Sequence, residues 1–187
     1  RASALQAECR RFDPVNSHEK CGVAAATPFF CIKFFQTGNT EKDWIVVFWR
    51  RKPASKNRQG LIFQKEGIPM IKIITKTPQE LEYLGKRMAQ FLQAGDFFAL
   101  DGDLGAGKTL FTQGLARGLE VKEDIASPTF TIIHEYESGS LPLYHMDVYR
   151  LKQPEELYDL GYEEYFYGQG VTVVEWAQII EPLLPDT

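Results

Sequence analysis

Gly102, Gly107, Lys108 and Thr109 stand in the spacing Gly-x-x-x-x-Gly-Lys-Thr, within the run Gly102-Asp103-Leu104-Gly105-Ala106-Gly107-Lys108-Thr109. That spacing is suited to holding phosphate. Glycines at 102, 105 and 107 let the backbone turn tightly and point successive N–H groups inward at the start of a helix, making a concave nest for phosphate oxygens. Lys108 adds a mobile cation that can follow the β- and γ-phosphates, and the Thr109 hydroxyl is a hard oxygen ligand suited to Mg²⁺. The alternative is a Gly-rich turn that matches by accident. It leaves unexplained the apolar run Phe97-Phe98-Ala99-Leu100 just before the loop and the helix-forming stretch from Leu110 just after it.

Three further stretches carry groups that such a site could use. Val171-Thr172-Val173-Val174-Glu175-Trp176 is an apolar run ending in an acid. It has the form of the second acidic element of phosphate-loop enzymes, where a carboxylate at a strand tip holds Mg²⁺ or its waters; the plainer alternative is a Glu exposed in a loop. His145-Met146-Asp147-Val148-Tyr149-Arg150, laid on a strand, turns His145, Asp147 and Tyr149 to one side. A lone His in a sheet is more often structural than catalytic, but His with Asp two residues on, opposite a phosphate loop, is a candidate for chemistry. Ser127-Pro128-Thr129-Phe130-Thr131 crowds hydroxyls around a proline that forces Ser127 to be extended. It reads either as a nucleotide-sensing switch or as an ordinary loop entering a strand.

The elements that must position these groups follow from pattern. Met70 to Thr75 alternates as a first strand, and Thr77-Pro78-Gln79-Glu80 reads as N-cap, Pro at N1 and a capping-box Glu at N3. Leu81, Leu84, Met88, Phe91 and Leu92 then recur at helical spacing as a core stripe, with Gly95 as the stop. Asp96 to Leu100 is the strand that delivers the loop, and the helix behind it runs to about Gly118. Thr129 to Glu137 and Leu141 to Val148 predict a hairpin around Ser138-Gly139-Ser140. Pro154 to Gly161 predicts a short helix, with Glu163 and Glu164 a solvated face. These elements predict an α/β, P-loop NTPase-like three-layer fold with a mixed central sheet that includes a β-hairpin.

Composition sets the bounds. The 187 residues are 44% hydrophobic and 13% aromatic, which is globular and leaves room for one domain with a substantial core. No stretch approaches 18 uncharged apolar residues, which excludes a helical membrane span. The formal charge of −4 argues against nucleic-acid binding through the whole surface. That total hides a break: residues 1–69 hold 12 Lys+Arg against 6 Asp+Glu, and residues 70–187 hold 9 against 19. Cys9, Cys21 and Cys31 all lie in the first part and lack Cys-x-x-Cys spacing, so a zinc or redox site is not expected. The acidic, cysteine-free part fits a reducing cytoplasm.

Residues 1–69 contain no recognisable domain. Trp44-Ile45-Val46-Val47-Phe48-Trp49 reads as a buried strand and Arg50-Arg51-Lys52 as a basic cluster, neither with neighbours that complete a supersecondary unit. The first methionine is Met70, and Lys65-Glu66-Gly67 can be encoded as AAG-GAG-GGN, a purine-rich ribosome-binding sequence, with Ile68-Pro69 as spacer. The expectation is upstream DNA translated in frame or a disordered extension, with a phosphate-loop domain over 70–187. A small accessory domain or a transit peptide are the competing readings.

Taken in order, the phosphate loop, Ser127 to Thr131, His145 to Arg150 and Val173-Val174-Glu175-Trp176 resemble the bacterial ATPase of tRNA threonylcarbamoyladenosine biosynthesis, the TsaE family. The first motif is shared by many phosphate-loop proteins; the other three in this order are specific. The resemblance runs from about Met70 to Asp186. The family continues with further β-structure beyond the Glu-Trp strand, so the chain is expected to be truncated, with a sheet edge left unpaired. The resemblance implies a small cytoplasmic ATPase, weak alone, that joins the proteins of the threonylcarbamoyl-transferase core. That core modifies the adenosine next to the anticodon, and the ATPase meets tRNA only indirectly. It implies ATP on Gly102, Asp103, Leu104, Gly105, Ala106, Gly107, Lys108, Thr109 and Leu110, and Mg²⁺ on Thr109 and Glu175. Catalytic roles fall to Lys108, Glu175 and Asp147, the last near the γ-phosphate or its attacking water, while Ser127 to Thr131 would report nucleotide state.

Three rival readings stand beside this one. A small-molecule P-loop kinase needs a lid with basic residues, for which Arg150 and Lys152 are the candidates beyond the first helix and its trailing Lys122. A GTPase is weaker, because Asn-Lys-x-Asp is absent from the sequence. A nucleotide-gated binding module without useful turnover is the third.

Overall fold

The computed structural model describes residues 29–37, 43–50 and 71–185. Cys9, Cys21, the Arg51-Lys52 part of the basic cluster, the Gln64–Pro69 stretch and Met70 lie outside the described residues. Among the described residues seven strands form one sheet: β1 (Phe29–Thr37), β2 (Asp43–Arg50), β3 (Ile71–Thr75), β4 (Phe97–Gly102), β5 (Ile133–Tyr136), β6 (Leu143–Asp147) and β7 (Val171–Glu175). Their order is β3-β2-β1-β4-β7-β6-β5. Strand β4 is parallel to both of its neighbours, β1 and β7, and β6 is parallel to β7; β2 and β5 run antiparallel to theirs.

Alternation along the strands builds two cores, one on each face of the sheet. Phe98 and Leu100 of β4 join Ile32, Phe34, Val46, Leu143 and Val173 beneath α1 (Pro78–Met88) and α2 (Lys108–Gly118), whose Leu81, Phe111 and Leu115 complete that layer. Phe97, Ala99, Met146 and Val174 point the other way, onto Leu157, Phe166, Ala177 and Ile180 from 3₁₀ turns and the short α3 (Glu163–Phe166). The result is the expected three-layer α/β arrangement with a mixed sheet.

The two helices of the first layer touch at backbone distance. A Cβ placed on Gly114 would sit 2.0 Å from the Glu82 carbonyl oxygen, and one on Gly85 would sit 2.4 Å from that of Phe111. Glycine on both faces is therefore what lets α1 lie against α2. Arg117 also pairs with Glu82 across the same seam.

Helix α1 starts as its sequence predicts, with Thr77 Oγ1 accepting from the Glu80 N–H at 3.2 Å. Glu80 returns the favour one residue early, accepting from the Lys76 N–H. The helix stops at Met88, short of Gly95, and a 3₁₀ turn over Ala89–Phe91 carries the chain on. This rotates Phe91 out of the core stripe to 77% exposure, while Leu81 is fully buried.

Two other expectations change. The Trp44–Trp49 run has neighbours on both sides, β1 and β3, so the described part of the first 69 residues shares the sheet with the rest. Ile32, Phe34, Trp44 and Val46 bury because they alternate onto the face covered by α1 and α2. The hairpin is shorter than its pattern suggests. Thr129 to Ile132 is a turn in which the Thr131 and Ile132 N–H groups both reach the Pro128 carbonyl, and Ile132 takes φ 67. Only Ile133–Tyr136 pairs with β6.

Candidate functional site

The site lies where β4 runs out into the N-terminus of α2. Gly107 precedes the helix with φ 98, a left-handed conformation that glycine adopts freely. There is no room for a side chain either, because a Cβ would lie 2.5 Å from Leu81 Cδ2. Asp103, Leu104 and Gly105 form the exposed crest of the loop, and Ala106 is buried beneath it. Leu110, partly buried, packs against the core of the first layer.

Lys108 is folded back into this loop. Its Nζ donates to the carbonyl oxygens of Gly102 at 2.8 Å and Asp103 at 2.9 Å, and lies 3.7 Å from the centroid of the Trp176 ring. Burial pushes the ammonium below the ordinary lysine value, and the carboxylates of Glu175, Asp147, Asp101 and Asp103 pull against it. The cation is thus held by dipoles and surrounding negative charge in a largely desolvated place.

Parity brings the acidic groups to the same side. Leu143, His145 and Asp147 alternate along β6 onto the face under α2, and Val171, Val173 and Glu175 do the same on β7. Glu175 is 3% exposed, which excludes a Glu loose in a loop. Its Oε2 accepts from Thr109 Oγ1 at 3.1 Å, and its Oε1 meets His145 Nε2 at 2.8 Å. Asp147, also 3% exposed, accepts from Ser127 Oγ at 2.5 Å and Thr129 Oγ1 at 2.7 Å through one oxygen. Its other oxygen accepts from the Tyr149 N–H. Tyr149 itself lies past the end of β6, half exposed, with its ring 4.9 Å from that of Trp176. The expected sharing of one face by His145, Asp147 and Tyr149 therefore holds for the first two only.

Two contributors were not legible as such. Trp176 was visible only as the residue after Glu175. Here it adopts φ 63, with its N–H bonded to the Leu100 carbonyl and the Gln178 N–H bonded to Asp101 Oδ1. These two bonds to β4 fix the turn that puts the indole beneath Lys108. Asp101 carries the second clue in its own position, an acid at the end of an apolar strand. Burial raises its pKa, with the Gln178 N–H, Lys33 and Lys108 opposing. Among the described residues no cluster of three or more His, Cys, Asp or Glu has metal-binding geometry. No described helix is long and apolar enough to cross a membrane. Arg150, named above as a lid candidate, stacks its guanidinium 4.7 Å from the centroid of Phe130, and both side chains are exposed.

The chain is similar to several known proteins. The family model described as "Threonylcarbamoyl adenosine biosynthesis protein TsaE" matches residues 75–187. A protein of Bacillus subtilis named tRNA threonylcarbamoyladenosine biosynthesis protein TsaE is 56% identical over 111 residues, covering 59% of this chain and 69% of that relative. Its namesake in Treponema pallidum is 42% identical over 116 residues, covering 62% of this chain and 85% of the relative. The crystal structure of Bacillus subtilis YdiB superposes with a TM-score of 0.52 at 51% identity, over 59% of this chain and 67% of that one.

Proposed function

We propose, from the premise that the chain belongs to the TsaE family of threonylcarbamoyl adenosine biosynthesis proteins, that it binds and hydrolyses ATP in support of tRNA modification by a separate threonylcarbamoyl-transferase core. The single observation that carries the nucleotide reading is the contact of Thr109 with Glu175. A hydroxyl at the start of α2 and a carboxylate from the end of β7 meet 3.1 Å apart, directly behind a glycine-rich loop. Both are hard oxygen donors, the kind a small divalent cation requires, so the residues present fit Mg²⁺.

In this reading Thr109 and Glu175 hold the cation, and the loop from Gly102 to Gly107 receives the phosphates at the positive end of α2. The cation supplies neutralisation of charge on the phosphoryl oxygens. Lys108 leaves the Gly102 and Asp103 carbonyls and turns its ammonium to the phosphates, exchanging neutral acceptors for charged ones. Asp147 is placed to orient a water. Ser127 and Thr129, now bonded to Asp147, are placed to exchange that contact when a γ-phosphate arrives, which makes the segment a reporter of nucleotide state.

The partners are inferred from the same reading. Residues 70–187 carry 9 basic against 19 acidic groups, which favours docking on a protein surface over direct tRNA binding. Phosphate release measured alone and with the transferase core, together with pull-down of the core in ATP, ADP and no nucleotide, tests this. Turnover raised by the core and association favoured by ATP are expected. Phosphate passed to a small-molecule acceptor would make the protein a kinase, and nucleotide binding without turnover in either setting would make it a gated binding module.

A further inference from the structure

Resting on the nucleotide-site reading above, we propose that His145 is a positioning residue for Glu175: its imidazole fixes one carboxylate oxygen so that the other is kept for Thr109 and a divalent cation. His145 is fully buried on β6, where it stands opposite Val173 of β7, two residues before Glu175. Its Nε2 lies 2.8 Å from Glu175 Oε1, while Glu175 Oε2 lies 3.1 Å from Thr109 Oγ1. The two oxygens of one carboxylate are thus divided between two elements, β6 and α2.

The ring's other nitrogen assigns the hydrogen. Nδ1 is buried and has no hydrogen-bond partner among the described residues. An N–H at that position would be an unsatisfied buried donor, whereas a lone pair there loses less. The hydrogen therefore sits on Nε2, and His145 donates to Glu175.

The need for such an anchor comes from the side chain itself and from its neighbour. The terminal torsion of Glu is broad, so nothing intrinsic to Glu175 fixes which way its oxygens face. Lys108 is a cation close enough to act on it electrostatically, so a carboxylate without an anchor is drawn by that charge as well as by Thr109. Outer partners that orient a ligating group commonly govern metal affinity by about 10–100-fold.

The test uses the full 187-residue chain. His145→Leu removes the donor and His145→Gln supplies another N–H. Calorimetric titration with ATP in the absence of Mg²⁺ should give affinities within about twofold of wild type for both. The Mg²⁺ concentration at which nucleotide affinity is half enhanced should rise about tenfold in His145→Leu and return most of the way in His145→Gln. An unchanged Mg²⁺ midpoint in folded His145→Leu overturns the proposal. Independently of any variant at 145, ¹⁵N imidazole spectra of the native protein, assigned with His18 and His134 replaced, should show the hydrogen on Nε2 of His145; finding it on Nδ1 also overturns the proposal. If the wild-type chain binds no nucleotide, the nucleotide-site reading falls, while the imidazole spectrum still decides whether His145 donates to Glu175.

Discussion

Lys108 and Trp176 form a stacked pair in which the ammonium, 3.7 Å from the indole centroid, is also tied to two carbonyl oxygens of its own loop. A cation over an indole is stabilised by roughly 0.5–2 kcal/mol. The loop's lysine is therefore held by the protein, and in the proposed function it would have to exchange these partners for a phosphate.

Lys108→Met should weaken ATP binding by about ten- to a hundredfold, the scale of a lost charge-assisted hydrogen bond. The same change should leave the unliganded protein as stable as wild type or more so, because the buried ammonium is held at a desolvation cost. Calorimetry and thermal melting read the two effects separately. Unchanged ATP affinity would remove the phosphate-loop assignment.

Glu175→Ala should keep nucleotide binding within about tenfold and reduce phosphate release far more, by about a hundredfold or greater, because charge placement matters most in the transition state. Equal losses in binding and turnover would assign Glu175 a structural role. His145 would be left without its acceptor in this variant, so part of any loss in melting temperature belongs to that buried ring.

Gly114→Ala tests the helix seam. The added Cβ would lie 2.0 Å from the Glu82 carbonyl oxygen, backbone that cannot rotate away, so α1 must separate from α2. A loss of about 1–3 kcal/mol in denaturant stability is expected, at unchanged m-value. An unshifted midpoint would mean that the helices do not approach this closely.

Tyr162 gives an alkaline signature. Burial, with Glu163 adding to it, pushes its phenol from 10.0 to about 12. The folded state thus holds a proton that the unfolded state has released, so stability is fully present below pH 10 and falls as pH rises through 12. The full effect of a two-unit shift is on the order of 2–3 kcal/mol. Urea midpoints at pH 9 and 11.5 should diverge less in Tyr162→Phe than in wild type, and equal slopes in the two proteins would contradict the shift.

Local chemistry was the legible part of this protein. The Thr77 cap, the helix start at Lys108 and the apolar run ending at Glu175 each depend on residues within a few positions of one another, and each stands where its pattern puts it. What escaped was set by turns that break a periodic pattern and by partners distant in the chain. Phe91 follows the helical stripe, yet α1 has already given way to a 3₁₀ turn and the side chain faces water. Thr129 and Thr131 alternate like a strand, but the Pro128 carbonyl captures two N–H groups and Ile132 turns left-handed. The pairing of β1 with β4 joins residues more than sixty positions apart, and no periodicity within either stretch specifies its neighbour. At the site, the alternation that faces His145 and Asp147 one way was readable, whereas the Trp176 turn depends on acceptors in β4.

The order of the sheet also distributes rigidity. Strand β4, which feeds the glycine-rich loop, has a parallel neighbour on each side, while among the described residues β5 is held only by β6 along Ile133–Tyr136. The hydroxyls that grip Asp147 belong to the segment leading into that outermost strand. Amide exchange should accordingly be slow in β4 and β7 and rapid in β5. Ser127 and Thr129 can be rearranged by loosening one short ladder, without disturbing the strand that aims the loop.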